Sequence, residues 1–264
     1  MELDLKGKKA IITGASRGIG KAIAFEFASE GMDLAICSRS LDAVQKTANE
    51  ITQTWPVKVF ACQADTRNTE ETNSFVNQSI SALNGINILV NNAAAPGGLV
   101  MGPLQTADPE ELLDDINTKV VGYLRASKAI APHLIESGWG RIINIGGLAA
   151  RSGGAISGMR NLALIHLTKT LSLELAPNGI NVNIIHPGIT KTERSDPMYE
   201  EQAKKQGISV KKIILNATSG LDTRLMPDAT DIANLATFLA SEKANAITGE
   251  SIAAGGGVGS GIFI

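Results

Sequence analysis

Residues 10–20 read AIITGASRGIG, a β-branched run that breaks at a glycine and reopens as a helical pattern from Lys21 to Ala28. The spacing is that of a dinucleotide-binding turn. Gly14 permits the tight turn off the strand, Gly18 lets the backbone approach a pyrophosphate, and Gly20 lets the helix pack closely on the sheet. The helix then directs its open N–H groups and the positive end of its dipole at the phosphates. The expected cradle is Gly14, Ser16, Arg17, Gly18, Ile19 and Gly20.

Outward from that turn, strand-like and helical runs alternate along the chain. The strand-like runs are Ala10–Thr13, Leu34–Cys37, Val57–Cys62, Ile88–Val90, Ile142–Ile145, Asn181–His186 and Ser251–Ala253. Helical patterns cover Lys21–Ser29, Leu41–Trp55, Thr69–Ser81, Asp108–Ser137, Gly158–Leu175 and Asp228–Ser241. Alternation of this kind implies an α/β fold, and right-handed crossovers make it a Rossmann-type, doubly wound parallel sheet of about seven strands. No repeat or Pro-rich linker interrupts it, so residues 1–264 are expected to form a single domain. Residues 190–226 are polar and weakly periodic, and are expected to cover the ligand crevice at the carboxyl edge of the sheet.

Composition limits the partners. The chain has 264 residues, 44% hydrophobic, with a formal net charge of −2 and interspersed charges. Neither nucleic acid nor a membrane surface is an expected partner. Cys37 and Cys62 each sit in an apolar strand-like run, which reads as buried small hydrophobes rather than a disulfide framework. No metal site is expected. The start of the chain is charged and lacks an apolar h-region, and a cytoplasmic location is expected.

Four segments occur in the order, and at about the intervals, of the short-chain dehydrogenase/reductase family: TGASRGIG within Ala10–Gly20, ILVNNAA at Ile88–Ala94, RIINI at Arg141–Ile145 and HPGITKT at His186–Thr192. The chain thus resembles that family over nearly its whole length. The resemblance implies that Asp65 contacts adenine and that Asn91 braces the central strand and lines the adenosine pocket. It also implies that Pro187, Gly188, Ile189 and Thr192 form the turn beside the nicotinamide ring. His186, just before that turn, reads as a satisfied strand-end histidine rather than a catalyst.

The choice of cofactor rests on the end of the second strand, where a carboxylate would hydrogen-bond the ribose hydroxyls and repel a 2′-phosphate. This chain has Ser38 and Arg39 there, with Arg17 in the glycine turn. Two arginines and no acid favour NADP, as NADPH, because guanidinium meets phosphate with paired charge-assisted donors.

At the catalytic centre the sequence departs from the family. The family's reaction is hydride transfer with a tyrosine as general acid or base, a serine that polarises the carbonyl, a lysine four residues after the tyrosine, and a supporting asparagine. Aligned on the helix beginning near Gly158, Ser157 falls at the tyrosine position and Asn161 at the lysine position. Gly147 falls where the serine is expected and Lys119 where the asparagine is expected. An aliphatic hydroxyl cannot do the work of a phenol, whose general acid–base help is worth roughly 10² to 10⁴ in rate. Arg151, Ser152, Arg160 and Lys119 are the nearby donors, and a desolvated lysine with a lowered pKa could serve as the acid.

Three readings stay open: an NADP-dependent oxidoreductase with an atypical catalytic set acting on a small carbonyl or alcohol substrate, a catalytically impaired NADP-binding regulator or sensor, and a non-redox enzyme reusing the crevice. The pocket lining is expected from Pro96–Pro103, Gly147–Ile156 and Thr190–Met226. Apolar residues on several faces of the helices 108–137 and 158–175, among them Leu162, Leu164, Ile165, Leu171 and Leu173, exceed what one sheet face needs. The resemblance implies that these helices pair into a homodimer or homotetramer.

Overall fold

In the computed structural model, residues 2–95, 100, 104–151 and 153–259 are described. Ser152, and the Pro96–Pro103 segment apart from Val100, lie outside them. Seven strands form one parallel sheet in the order β3-β2-β1-β4-β5-β6-β7. They are β1 (Lys9–Thr13), β2 (Asp33–Ser38), β3 (Val59–Gln63), β4 (Ile88–Asn91), β5 (Gly140–Ile145), β6 (Ile180–Pro187) and β7 (Ser251–Ala254). Strand β1 pairs with both β2 and β4, so the winding reverses there and the loops after β1 and β4 diverge. Ligands of doubly wound sheets bind in the crevice that this reversal opens.

Period-two alternation assigns each strand residue to one of two cores. Ile12, Leu34, Ile36 and Val90 face a cluster completed by Ile23 and Phe27 of α1 (Gly18–Ser29), Val44 of α2 (Leu41–Thr54) and Ile232 of α9 (Ala229–Ala240). Their neighbours Ile11, Ala35 and Leu89 face the opposite cluster, with Phe75 of α3 (Thr69–Leu83), Ile130 of α5 (Gly122–Ser137) and Leu175 of α6 (Met159–Leu175). Cys37 and Cys62 are opposite partners on β2 and β3, and both are free thiols. Burial pushes the Cys37 thiol up to about 12, which keeps it an inert hydrophobe.

The helix expected over 108–137 is not uniform. Asp108 caps α4 (Pro109–Ile116), a wide π-helical turn follows over Asn117–Val121, and α5 continues from Gly122. Such turns insert a residue into the helical ladder and recur at functional sites. Residues 190–226 also differ from the expected weakly periodic cover. They contain α7 (Ser195–Gln206) and α8 (Val210–Thr218), which bury Tyr199, Ala203 and Ile213 against each other. The apolar spacing in two short helices is too brief to rise above the charged residues around it. Among the described residues, no helix is long and apolar enough to cross a membrane.

Candidate active site

The turn after β1 is braced from β4. Thr13 Oγ1 accepts the amides of Asn92 and Ala93 at 3.0 and 3.1 Å, and Asn92 Nδ2 donates to the carbonyls of Thr13 and Gly14, each at 3.0 Å. Gly14 has φ +67°, and a Cβ there would come within 2.8 Å of Ala93 Cα. Gly20 differs from its expected role. A Cβ on it would collide with the Asn92 side chain and the Gly14 carbonyl, so it makes room for the brace rather than for packing on the sheet. Asn91 is also placed differently: it is fully buried, and its Nδ2 donates to Ser127 Oγ at 3.1 Å and Asn144 Oδ1 at 2.9 Å. It ties β4 to β5 and α5 and is not among the walls of the cavity at the ends of β1, β2 and β3, which Ala93 and Ala94 line instead.

Helix α1 begins at Gly18, three residues earlier than the sequence pattern suggests, and its N-cap residue Arg17 makes no side-chain capping bond. The cap comes from 175 residues away. The Gly18 amide donates to both carboxylate oxygens of Glu193, at 2.9 and 3.2 Å. Thr192 lies beside Gly18, its amide donating to Ser195 Oγ at 2.9 Å. Sequence reasoning missed Glu193, since nothing local marks a carboxylate as the cap of so distant a helix.

Between the ends of β1, β2 and β3 lies a cavity of about 290 Å³ whose walls include Gly14, Ser16, Arg17, Ser38, Arg39 and Asp65. Asp65 is the one carboxylate on those walls among the described residues, and Arg67 clamps it with Nε at 3.1 and 3.0 Å and Nη2 at 2.6 Å. That bonding, assisted by the charges of Arg67 and Arg39, holds Asp65 below the usual carboxylate range despite partial burial. The acid is neutralised by its own partner, whereas Arg17 and Arg39 face the cavity. A phosphate-bearing dinucleotide fits this charge pattern, and the Glu193 carboxylate seated on the Gly18 amide shows that the turn accepts an anion.

Beyond Ala94 the second cavity, about 580 Å³, is bounded by Ile19 and Asn92 on one side and by Pro187, Gly188 and Ile189 on another. Its inner end holds Lys119, Arg160 and Asn161, with Gly146 and Gly147 between them. Lys119 is only 4% exposed, and its Nζ donates to the Gly146 carbonyl at 2.9 Å. Burial pulls its pKa down to about 8. Arg160 is buried in an ion pair with Asp115, and burial lowers it to about 10. Asp115, one turn before Lys119, was not singled out in the sequence, where it reads as one of several surface acids on α4. Asn161 is buried with Oδ1 unpartnered, and a Cβ on Gly147 would stand 3.1 Å from its Nδ2.

Ser157 is not on the crevice wall. It is fully buried, and its Oγ accepts the Val100 amide at 2.7 Å, pinning the segment after β4. Both tyrosines are committed elsewhere: Tyr123 donates to the Ile145 carbonyl at 2.9 Å and Tyr199 to Met226 Sδ at 3.3 Å. Arg151 lines a neighbouring cavity on the far side of Leu148. His186 is only half satisfied. Nδ1 accepts the Gly147 amide at 3.0 Å, while Nε2 is buried without a partner. Burial lowers it to about 4, opposed by the Gly147 carbonyl 3.1 Å from Nδ1 and reinforced by the charges of Lys119 and Arg151, so it is neutral and supports the loop.

A family model described as short chain dehydrogenase matches residues 8–203, most of the chain. The chain belongs to the short-chain dehydrogenase/reductase family. This member is 35% identical over 254 residues to the NADPH-dependent reductase BacG of Bacillus subtilis, covering 95% of this chain and 97% of that protein. It is 32% identical over 261 residues to the 3-oxoacyl-[acyl-carrier-protein] reductase FabG of Aquifex aeolicus, covering 98% and 100%. Among solved structures, the L-sorbose reductase of Gluconobacter frateurii complexed with NADPH and L-sorbose superposes with a TM-score of 0.92 at 27% identity, covering 98% of both chains. As a short-chain dehydrogenase/reductase, the protein keeps the family's sheet and glycine turn, while lysine, arginine and asparagine line the inner end of its crevice.

Proposed function

We propose that the protein is an NADPH-dependent oxidoreductase that reduces a small carbonyl compound, with Lys119 in the role of proton donor. NADPH-dependent relatives and the arginine-lined cavity at the end of β2 support the cofactor. Arg17 and Arg39 would hold the 2′-phosphate, and the turn from Gly14 to Ile19 would hold the pyrophosphate. Thr192 would stand at the phosphates, and Pro187, Gly188 and Ile189 beside the nicotinamide. When bound, NADPH supplies the hydride and leaves as NADP⁺.

The observation that carries the chemistry is Lys119 buried at the inner end of the crevice, held on the Gly146 carbonyl. The π-helical turn lets Lys119 and Tyr123, four residues apart, bind the consecutive carbonyls of Gly146 and Ile145. One ammonium hydrogen is fixed on Gly146, leaving two to point elsewhere. With a pKa of about 8 the group is largely protonated at neutral pH and yields its proton more readily than an exposed lysine. It gives that proton to the carbonyl oxygen as negative charge develops and takes another from solvent. Steady-state NADPH consumption over a panel of ketones, aldehydes and oxo acids tests the proposal. Turnover of about 1 s⁻¹ or more, an ordinary enzyme rate, upholds it, while tight NADPH binding with no turnover across the panel favours the regulatory reading.

Assembly into a homodimer or homotetramer is part of the same proposal. Leu164 proves to be core, whereas Leu162 and Leu173 are 55% and 70% exposed and lie on one face of α6 with Met159. A second copy of the chain would cover that face across a two-fold axis. Light scattering at micromolar concentration should give a multiple of 27.6 kDa, and a monomer would refute it.

A further inference from the structure

The crevice is asymmetric in charge and polarity. Among the described residues on its walls there is no aspartate or glutamate. Its polar side chains are Asn92, Lys119, Arg160 and Asn161, and Asn92 already spends both amide hydrogens on the glycine turn. The cations therefore gather at the inner end, around Gly146 and Gly147. Much of the rest of the wall is apolar, with Leu148, Ile189, Ala217, Leu221 and Val258. Ala217 and Leu221 come from α8 and the turn after it.

We propose that the substrate is an oxo acid with an apolar tail, its carboxylate held at the Lys119 and Arg160 end beside the reacting carbonyl and its tail against Leu221 and Val258. The assignment rests on the reductase reading of this same crevice and names the substrate class that the reading leaves open. Three observations carry it. Arg160 is offset by Asp115, which lies behind it and off the wall, so the inner end bears the single positive charge of Lys119. One charge matches a monoanionic carboxylate better than a dianionic phosphate. Lys119 spends one donor on Gly146, and among the described residues no carboxylate is bonded to it or shares its wall, so none of them supplies its charge with a counter-ion inside the crevice. A buried charge of that kind is costly and is relieved by an anion that enters with the substrate. Asn161 Oδ1 is buried and unpartnered at the same place, an acceptor suited to the hydroxyl that reduction creates. The anion also acts on the chemistry, because a carboxylate beside Lys119 favours the ammonium form that donates the proton.

The test uses two matched pairs. For turnover the pair is 2-oxo-4-phenylbutanoate and its methyl ester with NADPH; for binding it is 4-phenylbutanoate and 4-phenylbutanamide, by calorimetry on the protein saturated with NADPH. The acid of each pair should be favoured about 30-fold, the order that a charge-assisted hydrogen bond gives. Lys119→Met should bring each ratio to within about threefold and Lys119→Arg should preserve the binding ratio. If Lys119→Met does not fold, the unmodified protein at pH 9.5 serves the same purpose, since the amine is then neutral. Equal or stronger binding of the amide overturns the proposal. Turnover of the ester as well as the acid would overturn it too, while leaving the reductase reading intact. If neither compound is turned over but the acid binds preferentially through Lys119, the carboxylate site stands and the reductase reading fails.

Discussion

Lys119 Nζ donates to the Gly146 carbonyl from a buried position on the crevice wall, and among the described residues no carboxylate on that wall balances its charge. Burial moves its pKa from the usual lysine value down to about 8, into the range where protonation changes during an ordinary assay. Reduction needs the ammonium form. The rate of carbonyl reduction should therefore be flat below about pH 7 and fall tenfold per unit above about 8. A rate that stays level to pH 10 would show that another group gives the proton.

From the sequence, Ser157 is expected at the family's tyrosine position, yet its hydroxyl is spent on the Val100 amide. Ser157→Ala should cost about 1–3 kcal/mol of stability by leaving that amide without its side-chain partner. The activity of the folded fraction should hardly change, which denaturant titration and a parallel rate measurement would establish. A tyrosine placed there displaces Val100, so Ser157→Tyr with Asn161→Lys should not restore the family's ordinary chemistry.

Arg39 stands at the end of β2 on the wall of the cavity that suits a 2′-phosphate. Replacing it with alanine should weaken NADPH by about 1.5–3 kcal/mol and leave NADH unaffected. Fluorescence titration with both cofactors checks this, and an equal loss for the two would move the phosphate contact elsewhere.

Glu193 sits where an anion of the cofactor would meet the first amide of α1. Glu193→Gln keeps an acceptor for that amide but removes the charge competing for it. NADPH should bind about two- to fivefold tighter, in line with the 0.3–1 kcal/mol of a charge at a helix end. Weaker binding would mean that Glu193 orders the turn for the cofactor instead.

The fold was largely legible because its signals are local. A strand that runs into a glycine turn, and alternating apolar runs, fix a doubly wound sheet without knowledge of any distant contact. Element edges moved where capping decided them, as at Gly18, whose cap is Glu193, and at Asn117–Val121, whose wide turn no spacing rule anticipates. The sequence singles out Lys119, Arg160 and Asn161 as residues expected at or near the family's catalytic positions. Their burial and the Asp115 ion pair were not legible, because both depend on α4, α6 and β5 meeting at one point. Ser157 shows the reverse case: a position aligned to a catalytic role can hold a side chain turned to the backbone.

The most direct test of the account is the rate of NADPH oxidation, followed by stopped flow at pH 7 with a carbonyl substrate that the unmodified protein turns over, in Lys119→Met. General-acid loss predicts a fall of about 10² to 10⁴ in that rate in the folded protein, with NADPH affinity unchanged. A Lys119→Met protein that keeps its rate to within a factor of three would contradict the assignment of Lys119 as the proton donor.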